Sequence, residues 1–359
     1  MAKGDFHDAP YDEGTLTKLE LFQLYARAWY PVFLSSKEAY WPEVHVFDYF
    51  AGPGVDQNGT PGSPVRIVQE ALNCLHKLQD GTRSLHFHFF DKSQDKVGQL
   101  KYLLDPMVAR LPNTTCEVLP FEFETAFKNS IPILNSPKTA NLVLLDPCGV
   151  NFVDEDIFRQ VSAAPTTDFL LFVASNFLHR FAKHPSIKLK INRPDDFYHC
   201  HKAVVELYRQ WTPENRRYYL HPFSILKPKS NNIYGVIFGT SHPLAMDKFL
   251  TLGWDKDKLN GEGNFDIHRE DFQEDAPFLA GLDMFQPTKL SAFERALEVS
   301  ILDGKCTDEW QVVQLCFQHG VKRQHAKAIL QKLQTAGAIE ANFFVPDLRE
   351  KSPRVIKLN

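Results

Sequence analysis

The sequence predicts an α/β protein, a doubly wound Rossmann-like sheet followed by a smaller C-terminal winged helix-turn-helix domain. Two observations point to the sheet. Apolar runs recur at Val44–Phe47, Leu85–Phe90, Asn141–Leu145 and Asp168–Ala174, and several end in an acid or small residues. Stretches of helical periodicity separate them, as βαβ connections require. A third observation sets the tail apart: three amphipathic helical stretches precede a possible hairpin.

The first dozen residues are polar, and a loose arm is expected through residue 14. Leu16, Leu19, Phe22, Leu24 and Tyr25 then recur at near-helical spacing, and Pro31 is expected to interrupt that helix. Its Lys18 and Arg27 could line a site, but solvated charges are the simpler reading. The run Val44-His45-Val46-Phe47-Asp48-Tyr49-Phe50-Ala51-Gly52-Pro53-Gly54 organises the chain. A strand breaking into glycines lets the backbone approach a ligand, with φ > 0 open to Gly52 or Gly54. Asp48 would place a fixed negative charge there, suited to a ligand with a cationic centre such as S-adenosylmethionine (SAM). The spacing is not G-x-G-x-x-G, which disfavours a dinucleotide. Phe50, Ala51, Gly52 and Gly54, with Asp48, are therefore candidate cofactor contacts.

After a turn-rich loop, Ser63 reads as a helix N-cap and Pro64 as the first helical residue. The strand at Leu85–Phe90 ends at Asp91, whose carboxylate could accept from both ribose hydroxyls or cap the helix from Ser93. A strand at Thr115–Leu119 precedes Phe121-Glu122-Phe123-Glu124, a possible border for an adenine edge. The continuous run Asn141–Leu145 reads as a central parallel strand and ends in Asp146-Pro147-Cys148-Gly149. A short helix at Asp156–Val161 and a strand at Asp168–Ala174 lead to Ser175-Asn176-Phe177. Residues 181–197 are basic and proline-broken, a surface insertion or lid. A helix near 199–211, strands at 218–228 and 232–240 and a helix at 243–252 complete an α/β domain of residues 15–255. Residues 256–288 read as a linker or accessory segment, and 289–359 as the winged helix.

Composition narrows the function. The 359 residues are 43% hydrophobic and 23% charged, with net charge −4, so any nucleic-acid surface must be local. No apolar run is long enough to span a bilayer. The six cysteines contain no C-x-x-C pair, and free thiols in a reducing cytoplasm are expected. His199-Cys200-His201 resembles a metal cluster, but adjacent residues point in different directions and no metal is expected.

Asp48, Asp91 and Asp146-Pro147 end three candidate strands and should meet at one sheet edge, the pattern of class I SAM-dependent methyltransferases. More narrowly, Asp48-Tyr49-Phe50-Ala51-Gly52-Pro53-Gly54, Gly62-Ser63-Pro64, Leu145-Asp146-Pro147-Cys148-Gly149 and Ser175-Asn176-Phe177 resemble the three-Cys-motif partner protein family over residues 15–255. The resemblance implies a methyltransferase-like fold, SAM as cofactor, and a radical-SAM-like three-Cys-motif partner in a phage- or defence-related setting. Asp146, Pro147 and Asn176 would then be catalytic, with Cys148 and Arg180 at the substrate. Asp146-Pro147 matches half of the (Asp/Asn)-Pro-Pro-(Tyr/Phe) loop that holds an acceptor amine. Cys148-Gly149 departs from that loop, lacking its second proline and aromatic; Phe152 or Phe177 could stack instead. Lys322, Arg323 and Lys327, at the start of the presumed recognition helix, are candidate phosphate contacts to DNA or RNA. The rival reading is a catalytically silent methyltransferase-like adaptor that binds the three-Cys-motif protein.

Overall fold

The computed structural model describes residues 9–35, 40–78, 82–147, 153–174, 200–226, 233–258, 260–263 and 289–359. The chain divides into two compact units, Met1–His242 and Pro243–Asn359. In the first, the elements are α1 (Glu13–Leu34), β1 (Glu43–Asp48), α2 (Ser63–Asn73), β2 (Ser84–Phe90), α3 (Gln94–Val108), β3 (Thr114–Leu119) and α4 (Phe123–Leu134). They continue with β4 (Thr139–Leu145), α5 (Glu155–Ala163), β5 (Thr167–Ala174), α6 (Cys200–Trp211), β6 (Tyr219–Leu226) and β7 (Ile233–Thr240).

These strands form one seven-stranded sheet in the order β3-β2-β1-β4-β5-β7-β6. Strands β1 to β5 run parallel, while β7 is antiparallel to β5 and β6 antiparallel to β7. This is the doubly wound, Rossmann-like class expected. Strand order reverses between β1 and β4, so the crevice beyond their carboxyl ends is the natural ligand position.

Alternation along the strands sorts the two faces. Phe47, Val143, Leu145, Phe169 and Leu171 pack with Phe127 of α4, Phe158 of α5 and Tyr208 of α6. On the opposite face Tyr25 of α1 packs against Phe238 of β7 with the rings tilted and their centroids 4.8 Å apart, and donates to Asp168 at 2.7 Å. Helix α1 is not stopped by Pro31 but runs to Leu34. The proline removes one backbone donor near the end, where burial of Trp29, Tyr30, Phe33 and Leu34 holds the last turn in place.

Across β1, β2 and β3 lies a row of polar side chains. Nδ1 of His45 is 3.0 Å from Nε2 of His88. Glu43 lies 3.4 Å from the far nitrogen of His45, and Glu117 lies 3.1 Å from that of His88. Burial lowers the pKa of both imidazoles, that of His45 to about 3.

The second unit contains α7 (Pro243–Lys256), α8 (Lys289–Leu302), α9 (Glu309–His319), a 3-10 turn at Arg323–His325, α10 (Ala326–Thr335) and a short antiparallel pair, β8 (Ile339–Glu340) with β9 (Lys357–Leu358). Helix α7, expected to close the α/β domain, groups here. Asp247 on α7 accepts two hydrogen bonds from Arg323, and the Trp254 indole donates to the Gly320 carbonyl at 2.9 Å. The expected hairpin is paired over two residues per strand. In the stretch expected as a linker or accessory segment, Asp257, Asn260 and Glu262 are buried, and Lys289 bridges Glu262 at 2.6 Å. Residues 264–288 lie outside the described set.

Close packing explains one glycine of β7. A Cβ on Gly239 would stand 2.1 Å from the Phe169 ring of β5. Overpacking of this kind costs about 1–3 kcal/mol, so Gly239→Ala should lower the urea midpoint by a corresponding amount, read by circular dichroism.

Candidate functional site

Strand register brings the predicted acids together. Asp48 pairs with Phe89 on one side and Leu144 on the other, so Asp48, Asp91 and Asp146 all fall at the same carboxyl edge. The turn after β1 is tied back to that edge: the Ala51 N–H donates to the Phe90 carbonyl at 2.8 Å. Gly52 and Gly54 have φ of 63° and 91°, the left-handed region that favours glycine. Ala51, Gly52 and Gly54 are buried, and Phe50 is half-buried with its ring 5.3 Å from that of Phe123.

Asp48 is more deeply placed than a displayed charge would be. It is 1% exposed and accepts from Ser63 Oγ at 2.6 Å and from the Phe50 N–H at 3.1 Å. Ser63 therefore does not cap α2. Gly62 is the N-cap, and the serine hydroxyl goes to the carboxylate, where a charge-assisted bond is the stronger one. Burial raises the Asp48 pKa to about 6 against those two bonds, so the fixed charge expected at this position becomes one that titrates near neutrality.

The loop between Gly54 and Gly62 closes on itself. Gly62 N–H donates to the Gly54 carbonyl at 2.8 Å, and Val55 bridges Pro61. Inside it the Asp56 carboxylate accepts from the backbone N–H groups of Tyr11, Asn58 and Thr60 at 2.8, 2.9 and 2.7 Å. Burial pushes this carboxyl up, but the donors outweigh it and hold the pKa below its ordinary value. The segment expected to be a loose arm through residue 14 is thus anchored from Tyr11 onward. Its phenol sits against Gly62, and its pKa is raised by burial and by the carboxylates of Asp56, Asp146 and Asp48.

Asp91 is partly exposed at the tip of β2 and accepts from the Ser93 N–H at 2.8 Å. Ser93 itself caps α3. Asp146 forms an ion pair with Lys18. Lys18 is 4% exposed, and its ammonium lies 4.5 Å from the centroid of the Phe172 ring. It is therefore no solvated charge. A signal was present in the sequence, because Lys18 falls on the stripe of Phe22 and Tyr25 at i, i+4 and i+7. Arg27 is elsewhere, paired with Glu70. Pro147 follows Asp146, while Cys148, Asn176 and Arg180 lie outside the described residues.

In the second unit Lys322 pairs with Asp255 at 3.0 Å. Arg323 is held by Asp247 at 2.8 and 3.0 Å and by the Pro346 carbonyl at 2.5 Å, an internal clamp. Lys327 is exposed on α10.

No protein-family model matches the sequence, and no curated protein matches it. Solved structures to which the chain is similar include an rRNA methylase from Streptococcus thermophilus, at 10% identity, covering 65% of this chain and all of that one with a TM-score of 0.32. A putative methyltransferase from Streptococcus mutans, in complex with SAH, is 9% identical and covers 62% and 97% with a TM-score of 0.33. The O-methyltransferase TomG from Streptomyces achromogenes, in complex with SAM, is 10% identical and covers 64% and 91% with a TM-score of 0.32. Likeness at this level adds no weight to strand order and site geometry. Among the described residues no helix is long and apolar enough to cross a membrane, and no cluster could hold a metal ion.

The Asp48 carboxyl gives a pH signature. Its pKa is about 6 in the folded chain against an ordinary 3.8, so between those values the folded state binds the proton more tightly. Relative to Asp48→Asn, the wild type should lose on the order of 2–3 kcal/mol of stability as pH rises from about 4 to about 6, and change little above. Paired urea melts across that range measure the difference, and every other titrating group is common to both proteins.

Proposed function

We infer that the chain is a SAM-dependent methyltransferase-like protein acting on a nucleic acid or nucleotide-like acceptor. The observation that carries this reading is the meeting of Asp48, Asp91 and Asp146 at one carboxyl edge beside the positive-φ glycines Gly52 and Gly54. The phage- or defence-related setting rests on the family resemblance alone.

The residues present fit the cofactor. Gly52 and Gly54 let the backbone approach without a Cβ, and the half-exposed Asp91 would receive the ribose hydroxyls. The partly buried rings of Phe50 and Phe121 offer an apolar border. When bound, SAM supplies a methyl group on a sulfonium whose departure leaves a neutral thioether, so no strong general acid is needed. What remains for the protein is to align an acceptor lone pair and exclude water. The Asp146–Lys18 pair engages Oδ2 of the carboxylate; a substrate amine would be taken by Oδ1. Asn176, Arg180 and Cys148 keep their proposed roles at the substrate.

Helices α8, α9 and α10 and a short β pair support the winged-helix reading of residues 289–359, with Lys327 the most available phosphate contact of the three candidates. Lys322 would first have to leave Asp255, and Arg323 serves the internal clamp.

Calorimetry with SAM and S-adenosylhomocysteine tests the cofactor site. Micromolar binding is expected in the wild type. Asp91→Ala should weaken it about 10- to 100-fold, the worth of hydrogen bonds to a charged acceptor. No binding at millimolar ligand would remove the methyltransferase reading and leave the adaptor. With a labelled methyl donor, Asp146→Ala should abolish transfer while leaving that affinity unchanged.

A further inference from the structure

We propose that Lys18 is a positioning residue for Asp146, so that helix α1 completes the acceptor-binding loop that the chain carries only in part at Asp146-Pro147. This rests on the methyltransferase reading and names a residue that the family motifs quoted above do not contain.

Three observations carry it. First, Lys18 is almost wholly buried, and a buried ammonium persists only when paired. Its pair is Asp146, a residue 128 positions away in sequence, and one face of the ammonium is closed by the Phe172 ring. Phe172 belongs to β5, the neighbour of β4, so the lysine is held between the ends of two adjacent strands.

Second, the start of α1 is fixed at several points, which pins the root of the Lys18 side chain. The Tyr11 N–H is on Asp56, Asp12 caps the helix by accepting from Thr15 N–H at 2.8 Å, and Gly14 packs close to the Tyr234 ring. A Cβ there would sit 3.3 Å from that ring. A flexible four-carbon side chain becomes a fixed donor when both its root and its tip are pinned.

Third, the carboxylate needs an external brace. The loop has one proline rather than two, and the aromatic that would border the acceptor is absent from it. A charge-assisted bond to Oδ2 fixes the plane of the carboxylate and hence the direction in which Oδ1 meets a substrate N–H. Lys18 does not touch the acceptor in this scheme; it sets the angle at which Asp146 does.

The full chain is used for the test. Acetic anhydride labelling with mass spectrometry reads the pair: Lys18 should resist acetylation in the wild type and become reactive in Asp146→Asn. Methyl transfer from tritiated SAM to total cellular RNA and to genomic DNA reads the role. Lys18→Met should lower kcat about a hundredfold, the scale of a misaligned reacting group, with KM for the acceptor and calorimetric affinity for S-adenosylhomocysteine unchanged. Lys18→Arg, which restores the charge-assisted bond, should recover most of the rate. A wild type in which Lys18 is acetylated freely, or a Lys18→Met protein with undiminished kcat, overturns the proposal and leaves the methyltransferase reading standing. A wild type that transfers no methyl to either pool overturns that reading, and the role of Lys18 with it.

Discussion

Asp48 is where strand, turn and helix are joined. Its carboxyl group ends β1, receives the N–H of Phe50 inside the following turn, and receives the hydroxyl of Ser63 at the head of α2. The intervening loop can then vary in course without moving either end, because Gly54 and Gly62 are also tied backbone to backbone. Burial makes this anchor costly to ionise, and the two donors offset part of that cost. The result is a crevice whose floor is set by hydrogen bonds rather than by apolar packing.

Around that floor the charges differ in exposure. Asp48 is buried, Lys18 is buried and paired with the less buried Asp146, and Asp91 stands at the neighbouring strand tip, partly in solvent. Tyr11 and Asp56 close one side. The carboxylates outnumber the single buried ammonium, so the edge favours a guest with positive charge, as an S-adenosylmethionine head would bring.

Much of the sheet could be read from the sequence because buried parallel strands announce themselves as unbroken apolar runs. Val143, Leu144 and Leu145 form such a run, short enough for a strand and bounded by Asp146-Pro147. Positive φ at Gly52 and Gly54 was legible for a similar reason, since few residues but glycine occupy that region freely. What escaped were choices between partners. Ser63 before a proline looks like a cap, yet a carboxylate fifteen positions earlier competes for its hydroxyl and prevails. Lys18 looks solvated until Asp146 is brought to it by the sheet. Arg323 reads as a phosphate ligand until Asp247 appears beside it. The partners of the helix at Pro243–Lys256 were hidden in the same way: it has the periodicity of a sheet-covering helix, and its Asp247 and Trp254 are paired with Arg323 and Gly320, far along the chain. Local pattern fixes element type, while long-range pairing decides the destination of each polar group.

The row Glu43, His45, His88, Glu117 has a consequence of bookkeeping in hydrogens. It contains three contacts, each of which needs one hydrogen. Two neutral imidazoles bring two, and ionised carboxylates bring none. The nitrogens facing each other across β1 and β2 can share a single hydrogen, so the tautomer of one ring dictates that of the other. With the central hydrogen bond made, one end of the row is a hydrogen short, and the shortage moves from the Glu43 end to the Glu117 end only by switching both rings together.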